Sequence, residues 1–231
     1  MSVLNNTKNV FIVIPAFNEN TVIKSVVEEI SQFNYSIIVI DDGSEISLLP
    51  LLRNMRVDYI RHRINLGQGA AIQTGIEYAL TKGAEYIVTF DADGQHDTID
   101  IQKLLDPLLN NMADIVFGSR FIENSTHNMP KGRKFVLFLA RLFNFFITGL
   151  FLSDAHNGLR AINRKAASLI KIKENGMAHA SEILVQVKNK KLRFVEVPVS
   201  IKYTNYSTKK GQTGWSSFRI FFDLLLNKLF K

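Results

Sequence analysis

Two aspartates, Asp91 and Asp93, follow an apolar run at residues 86–90 that is typical of a buried strand. Residues i and i+2 of a strand lie on the same face, so both carboxylates can point to one place just beyond the strand end. Paired oxygen ligands suit Mg²⁺ or Mn²⁺, particularly where a substrate diphosphate supplies the remaining oxygens. Taken alone, the Asp-x-Asp pair also fits a solvated turn, because Asp and Gly are common turn residues. The neighbouring motifs decide between these two interpretations.

Other apolar runs also end in polar clusters, and helix-like segments separate them. Short runs rich in β-branched residues cover 10–14, 36–40 and 114–118, and a weaker run covers 57–60. Strands that alternate with helices predict an α/β fold with a mostly parallel sheet flanked by helices. Ligands bind outside the carboxyl ends of such strands, so the polar clusters should meet at one edge of the sheet. These clusters are residues 15–19, 41–44, 91–96 and 119–120.

Helix periodicity and stop signals mark the segments between the strands. A helix is predicted at 21–33, with Asn18 or Asn20 as the residue that caps its amino terminus. Its apolar residues recur at the spacing of one buried helix face. They are Ile23, Val26, Val27, Ile30 and Phe33. A later helix runs to Lys82 and ends at Gly83, because glycine commonly terminates helices.

Gly67 and Gly69 precede that later helix and partly match a dinucleotide-binding fingerprint. The fingerprint follows the first strand and has a third small residue three positions further on. Here the element follows the third strand, and Ile72 occupies the third position, which excludes a nicotinamide or flavin site. The two glycines instead let a loop pass close to a ligand, or simply begin the helix.

The composition limits the class of protein. The 231 residues are 46% hydrophobic and contain no cysteine. This length suits one α/β domain with a small appendage, and the missing thiols exclude disulfides and thiolate zinc sites. A net charge of +7 favours anionic partners such as nucleotides, phosphorylated lipids or anionic membranes. Residues 1–9 are polar and lack the apolar core of a signal peptide, which predicts a cytosolic location.

Six motifs occur in a characteristic order along the chain. They are PAFNE at 15–19, DDGS at 41–44, NLGQG at 65–69, DADGQH at 91–96, GSRF at 118–121 and DAHNGLRA at 154–161. With these motifs the chain resembles the family 2 glycosyltransferases, whose GT-A fold is Rossmann-like. It is most similar to the branch that includes dolichyl-phosphate mannose synthase and the bacterial polyprenyl-phosphate sugar transferases. Residues 203–212 further resemble bacterial members that serve cell-surface polysaccharide assembly.

The resemblance implies a UDP- or GDP-linked sugar donor and a divalent metal ion. Asp91 and Asp93 would bind Mg²⁺ or Mn²⁺ and serve as catalytic residues, because a cation there neutralises charge on the departing diphosphate. The expected donor-binding set comprises Pro15, Phe17, Glu19, Asp41, Asp42, Gly69, Asp91, Asp93 and Gln95. Its members before residue 41 would line the base and ribose pocket together with one of the two adjacent aspartates.

The resemblance also implies a polyprenyl phosphate acceptor and inversion at the anomeric carbon. Arg120 and Arg133 would bind the acceptor phosphate, since arginine pairs with phosphate through two parallel hydrogen bonds. Arg133 equally fits a solvated basic loop at 131–134. The expected product is a polyprenyl-phosphate sugar for cell-surface glycan assembly.

An acceptor with a hydroxyl group is the alternative. A lipid phosphate is already ionised near neutral pH and needs positioning rather than deprotonation. A sugar hydroxyl must lose its proton, so it would need a general base. Asp154 and Glu182 are the candidates for this catalytic role, and His179 is a weaker one.

Two apolar segments predict contact with a membrane or a partner. Residues 135–152 are apolar apart from three polar side chains, and one of these, Arg141, argues against a segment that spans the bilayer. The basic residues before it favour an interfacial helix, and a buried core helix is the alternative. The predicted domains are a catalytic domain at 1–205 and an amphipathic helix at 206–231. The expected partners are the cytoplasmic face of a membrane, a small membrane protein or a second subunit, and not nucleic acid.

Two rival interpretations belong to other classes of protein. A nucleotidyltransferase also uses a metal ion and a diphosphate, but it favours a basic, glycine-rich loop soon after the first strand. Here that loop, residues 15–20, contains no lysine, and the next lysine along the chain is Lys24. A nucleic-acid-binding module would interleave basic and aromatic residues on a sheet face. The basic residues lie mostly in predicted loops and in the C-terminal third of the chain, which disfavours such a module.

Overall fold

The computed structural model describes residues 9–122 and 141–202, except 143–144, 147 and 156. Within these residues, seven strands form one sheet that is packed between helices. The strands are β1 (Val10–Ala16), β2 (Ser36–Asp41), β3 (Asp58–Arg61), β4 (Tyr86–Thr89), β5 (Ile115–Ser119), β6 (Arg160–Asn163) and β7 (Phe194–Pro198). The helices that the argument uses are α1 (Ile23–Ser31), α2 (Leu49–Leu52), α3 (Gln68–Thr81), α4 (Asp100–Leu109), α5 (Arg164–Leu169) and α6 (His179–Asn189).

The sheet is mostly parallel, as the alternation of strands and helices predicts. The strands lie in the order β3-β2-β1-β4-β6-β5-β7. Of these, β6 runs antiparallel to both of its neighbours, β4 and β5. It runs in this direction because the chain enters it from a loop at the carboxyl edge of the sheet, and an antiparallel strand needs no crossover helix. This reversal brings residues 154–160 to the same edge as the ends of β4 and β5.

Apolar side chains cover both faces of the sheet. One buried cluster packs α1 and α4 against one face, and a second packs α3, α5 and α6 against the other. Successive residues of β1 alternate between the two: Ile12 and Ile14 belong to the first cluster, and Phe11 and Val13 to the second. Burial on both faces explains why the strands appear in the sequence as continuous apolar runs.

Helix α1 has the predicted buried face but not the predicted cap. The buried residues are Ile23, Val26, Val27 and Ile30, whereas Phe33 is 37% exposed. Val22 precedes the helix and makes no side-chain capping bond, so the assignment of Asn18 or Asn20 as the cap is wrong. Their side chains instead bond to the backbone of residues 45–46. The two asparagines thereby tie the loop after β1 to the loop after β2, a contact that periodicity does not reveal.

Part of the apolar segment 135–152 lies within the described residues. This part is helical as far as residue 148, and three of its aromatic rings are exposed, namely Phe145, Phe146 and Phe151. The described part of the chain contains no helix that is long and apolar enough to span a bilayer. The helix predicted at 206–231 lies outside the described residues.

Candidate functional site

The polar clusters after β1, β2, β4 and β5 lie at one edge of the sheet, as predicted. The loops after β1 and β2 touch, because the Asn18 backbone N–H donates to Ser44 Oγ at 2.9 Å. The amino terminus of α3 reaches the loop after β4, where Gln68 Nε2 donates to Asp91 Oδ1 at 3.1 Å. Arg120 follows β5 at the same edge, since β5 is parallel to β4 and β1. Acidic, amide and cationic side chains therefore share one edge.

The Asp91 carboxylate is oriented from two sides. Oδ1 accepts the bond from Gln68, and Oδ2 lies 3.0 Å from Nε2 of the buried His96. Burial alone would raise the pKa of Asp91, but the bond from His96 and the side chains of Arg160 and His179 bring this pKa below its ordinary value. Asp91 is therefore an ionised carboxylate with a fixed direction.

Asp93 lies in the opposite electrostatic environment. Burial raises the pKa of Asp93, and the negative charges of Asp91 and Glu19 raise it further, against a backbone hydrogen bond from Gln95 and the charge of His96. Such a pair of carboxylates fits a divalent cation, because a cation between them would remove their repulsion. Among the described residues, no group of three or more acidic or histidine side chains is arranged to hold a metal ion.

The two adjacent aspartates after β2 both bind the chain's own backbone. Asp41 is fully buried, and it accepts hydrogen bonds from the Ser44 backbone at 2.9 Å and from the Tyr59 hydroxyl. Burial would raise the pKa of Asp41, but the bonds from Ser44 and Tyr59 lower it below its ordinary value. Asp42 accepts from the backbone N–H groups of residues 66 and 67 at 3.0 and 2.7 Å. Both carboxylates therefore shape the loops that border the edge.

Gly67, just before α3, and Gly69, in its first turn, are packed by the chain itself. Gly67 has a φ of 104°, a conformation that favours glycine. A Cβ at Gly69 would lie 2.0 Å from the Glu174 carbonyl oxygen, and the Gly69 N–H donates to the Asn175 carbonyl at 2.7 Å. Within the described residues, the close neighbour of these glycines is the 174–176 loop, whereas the sequence predicted the approach of a ligand.

Asp154, the first of the candidate bases, is paired with Arg120. Arg120 Nε donates to Asp154 Oδ2 at 2.6 Å, and Nη2 donates to Oδ1 at 2.7 Å. Asp154 is buried, whereas 35% of the Arg120 side chain is exposed. A two-bond pair of this kind occupies both carboxylate oxygens. Arg133, expected to share the acceptor phosphate with Arg120, lies outside the described residues.

The other two candidate bases lie on α6 in different surroundings. Glu182 accepts from the backbone N–H groups of Lys173 and Glu174, each at 2.9 Å, and so stabilises the loop that precedes α6. His179 is buried, its Nδ1 lies 2.8 Å from the Gly176 carbonyl oxygen, and its charge acts on Asp91. Of the two, His179 is the one for which the structure shows an interaction with the aspartate pair.

The remaining expected donor residues lie in the loops at this edge. Pro15 is buried as the penultimate residue of β1, and Phe17, in the loop that follows, is 41% exposed. Glu19 is buried, and its negative charge raises the pKa of Asp93. The Gln95 carbonyl accepts from the Lys202 N–H at 2.7 Å. An exposed aromatic ring and a buried carboxylate therefore flank the loop after β1.

Three further side chains interact with the acidic residues of this edge. Gln68 and His96 form hydrogen bonds with Asp91. The charges of both Asp91 and Asp154 act on the buried Arg160. All three stand inside motifs that the sequence contains, NLGQG, DADGQH and DAHNGLRA. Motif membership is the signal that marks them, whereas spacing along the chain does not show which charges face one another.

Comparisons with known proteins agree with this arrangement. Residues 11–170 match the family model described as glycosyl transferase family 2. The chain is 34% identical, over 97% of its length and 98% of the relative, to UDP-N-acetylglucosamine–dolichyl-phosphate N-acetylglucosaminyltransferase of Methanococcus voltae. It is 27% identical to polyprenol monophosphomannose synthase of Mycolicibacterium smegmatis, over 84% of this chain and 77% of that protein.

A solved structure with the same fold is glucosyl-3-phosphoglycerate synthase from Mycobacterium tuberculosis, in complex with Mn²⁺, UDP and glucosyl-3-phosphoglycerate. It has a TM-score of 0.63 and 18% identity, and the match covers 87% of this chain and 74% of that one. A likeness at this level of identity shows the GT-A fold, a mostly parallel sheet flanked by helices. The family match and the identity to the M. voltae enzyme show the rest: the chain belongs to glycosyl transferase family 2 and is a glycosyltransferase.

Proposed function

We propose that this enzyme transfers a sugar from a nucleotide-sugar donor to the phosphate of a polyprenyl phosphate, with inversion at the anomeric carbon. The names of both relatives refer to phosphates of polyprenol-type lipids. The product would be a polyprenyl-phosphate sugar for cell-surface glycan assembly. The observation that carries the choice of acceptor is the pair between Arg120 and Asp154.

This pair favours an acceptor that is already ionised. A hydroxyl acceptor needs a base that can take its proton, but both oxygens of Asp154 accept hydrogen bonds from Arg120. A phosphate acceptor needs a positioned cation instead. Arg120 is such a cation, because it is partly exposed at the sheet edge and its direction is set by the buried Asp154. Arg133 would be the second cation that meets the phosphate.

On the donor side, Asp91 and Asp93 would hold Mg²⁺ or Mn²⁺ together with the donor diphosphate. When bound, the ion would neutralise the charge that develops on the departing diphosphate. Gln68 and His96 orient Asp91 before any substrate binds, which lowers the cost of reaching the reactive geometry. The loops that carry Pro15, Phe17, Glu19, Asp41, Asp42, Gly69 and Gln95 would surround the nucleotide.

A lipid acceptor would place the reaction at the cytoplasmic face of a membrane. The exposed rings of Phe145, Phe146 and Phe151 form a cluster, with centroids 6.0 and 6.1 Å apart around Phe145. The Arg141 guanidinium lies 5.1 Å from the centroid of the Phe151 ring. Exposed aromatic rings beside a cation suit the headgroup region of a bilayer. We infer peripheral attachment there, and a small membrane protein or a second subunit would be a further partner.

The proposal is tested with the purified protein, a divalent metal ion and a panel of labelled UDP- and GDP-sugars. Each donor is offered to polyprenyl phosphate, to the matching polyprenyl alcohol and to a free oligosaccharide. Label is expected in the organic phase with polyprenyl phosphate, and the anomeric configuration of the product should be opposite to that of the donor. Equal or better transfer to either hydroxyl acceptor would refute the choice of acceptor and would direct attention to Asp154 and His179.

A further inference from the structure

Arg160, the first residue of β6, is a cation buried inside the protein with few partners. It is 3% exposed, and its Nη2 donates to the Ala155 carbonyl across a long 3.4 Å. Its Nε is buried and finds no hydrogen-bond partner among the described residues. Burial of a charge is unfavourable unless opposite charges or hydrogen bonds compensate for it. The fold must therefore compensate this charge by other means.

Two carboxylates supply that compensation. Burial lowers the pKa of Arg160 to about 10, and the charges of Asp91 and Asp154 act in the opposite direction. A group with that pKa remains protonated at neutral pH. The guanidinium is therefore a positive charge that acts electrostatically on Asp91, which lies on the donor side of the edge, and on Asp154, which lies on the acceptor side.

The antiparallel strand β6 explains why one residue meets both sides. Arg160 is paired with Thr89 of β4 and with Phe117 of β5. Strand β4 leads directly to Asp91, and β5 leads to Arg120, which holds Asp154. Arg160 therefore lies in the middle of the sheet edge. It stands between β4, which leads to the donor half of the site, and β5, which leads to the acceptor half.

The loop that enters β6 is packed tightly against Asp91. A Cβ at Gly158 would lie 2.1 Å from Asp91 Oδ2, so a larger residue there would displace the Asp91 carboxylate or the loop itself. The Gly158 carbonyl accepts from Thr89 Oγ1 at 2.7 Å. Any displacement of the 154–160 loop would therefore be transmitted to Asp91.

Packing alone does not account for a cation at this position. On its inner side, Arg160 borders a cavity of about 20 Å³ whose other lining residues are mostly isoleucines from α3, β5, β6 and α6 and the segment between α5 and α6. An apolar side chain would suit such surroundings better than a guanidinium. The positive charge of Arg160 is therefore explained by Asp91 and Asp154 rather than by packing in the core.

We propose that Arg160 is a positioning residue whose buried charge holds the carboxylates of Asp91 and Asp154 in a fixed relative arrangement, and so keeps the donor half of the site aligned with the acceptor half. The terms donor half and acceptor half rest on the proposed function. The alignment of the loop after β4 with the loop before β6 does not. Arg160 acts through these carboxylates and does not itself contact the substrates.

The informative variant is Arg160→Met, which keeps a long side chain and removes the charge. Asp91 would still be bonded to Gln68 and His96, and Asp154 to Arg120, so the fold should persist. We expect turnover to fall ~10- to 100-fold while the KM for the donor stays within about threefold, because misalignment affects the reaction more than ground-state binding. The Tm should fall by a few degrees, since removal of one partner from a buried group of charges leaves Asp91 and Asp154 less well compensated. Arg160→Lys keeps the charge and should recover part of the turnover.

Arg164→Met is the matched control. Arg164 is the first residue of α5, just past the far end of β6, and its Nη1 donates to the Ala84 carbonyl at 2.9 Å. This variant also removes one arginine charge next to the same strand, but away from the site. Its turnover and donor KM should match those of the wild type.

Hydrogen–deuterium exchange gives a readout that does not depend on activity or on the acceptor. In Arg160→Met, exchange should become faster in residues 89–96 and 153–160 together and stay unchanged elsewhere, and Arg164→Met should show neither effect. Faster exchange throughout the protein, rather than in these two segments alone, would identify a packing residue and overturn the proposal. Unchanged exchange in both loops would also overturn it, as would an Arg160→Lys variant no better than Arg160→Met. A wild type that transfers sugar only to hydroxyl acceptors would refute the proposed function and leave the exchange result valid for Arg160.

Discussion

Asp91 and Asp93 lie side by side in unequal surroundings, since Asp91 is oriented by His96 and Gln68 whereas Asp93 is repelled by neighbouring acidic charge. In the proposed reaction, Asp93→Asn removes a metal ligand and also relieves that repulsion. The metal-free variant should therefore unfold at the same Tm as the wild type or at a higher one. It should lose the rise in Tm that Mn²⁺ gives the wild type, and its turnover should fall ~100-fold or more.

Thermal unfolding with and without Mn²⁺, together with initial rates, checks this expectation. Asp97→Asn is the control, because Asp97 stands in the same loop but pairs with Lys202 at 3.4 Å. The control should keep both the metal-induced rise in Tm and the activity. Full activity of a folded Asp93→Asn protein in the presence of a chelator would refute the metal assignment.

Arg120 and Asp154 form the second residue-level unit, and two substitutions separate their roles. Arg120→Gln should raise the KM for lipid phosphate ~10-fold or more and leave the donor KM unchanged, because it removes charge-assisted hydrogen bonds worth about 1.5–3 kcal/mol each. Asp154→Asn should act in the same direction and more weakly, since it only frees the orientation of Arg120. If Asp154→Asn instead lowers turnover ~100-fold or more at an unchanged lipid KM, Asp154 is the general base of a hydroxyl transfer.

At the scale of elements, the three strands on one side of the sheet are joined by Asp114, which precedes β5. This buried carboxylate accepts from the Arg193 backbone at 3.0 Å and from Asn163 Nδ2 at 3.2 Å. Burial would raise the pKa of Asp114, but the bonds from Arg193 and Asn163 and the charge of Lys165 bring it well below its ordinary value. Asp114 thus connects the starts of β5 and β7 to the end of β6, at the edge opposite the candidate site.

Asp114→Asn should lower the Tm by about 4–8 °C at neutral pH, the shift expected when about 2 kcal/mol of charged hydrogen bonding is lost from a domain of this size. The sign of the pH dependence follows from the lowered pKa. The carboxylate stabilises the fold fully above the pKa of an unfolded aspartate, about 3.9, and loses this effect as the pH falls through the lower folded value. The Tm difference between wild type and variant should be constant from pH 6 to 8 and shrink in acid. A difference that grows in acid would contradict this assignment.

At the scale of the whole molecule, the exposed rings of Phe146 and Phe151 predict peripheral binding to membranes. In liposome flotation, binding should strengthen with anionic lipid and weaken with salt, because the protein carries a net charge of +7. The double substitution Phe146→Ser and Phe151→Ser should reduce binding while the Tm stays within a few degrees. Met112→Ser is the control, since Met112 is 64% exposed in the loop between α4 and β5, close to the opposite edge of the sheet. Equal flotation of both variants would exclude the phenylalanine cluster as the contact.

The sequence by itself determined the layers of this protein and the edge at which its chemistry lies. Alternating apolar runs and amphipathic helices specify a two-sided core, because each element must bury its apolar face. Parallel strands all end at one edge, so polar clusters after strands such as those at Asp41 and Asp91 had to meet there. The sequence also places Asp91 and Asp93 just beyond a strand, but β4 ends at Thr89 and Asp93 lies in the turn that follows, so the two-residue period of a strand does not explain how the two carboxylates are arranged.

Only the tertiary structure decided which side chains face one another at that edge. Asp154 pairs with Arg120 across 34 residues of sequence, and Asn18 bonds to the loop after β2 rather than capping α1. The antiparallel direction of β6 placed Arg160 between the two acidic groups. Local periodicity reports which face of an element is buried. The partner of a buried charge is selected by the packing of distant elements, because only the folded chain brings opposite charges together out of water.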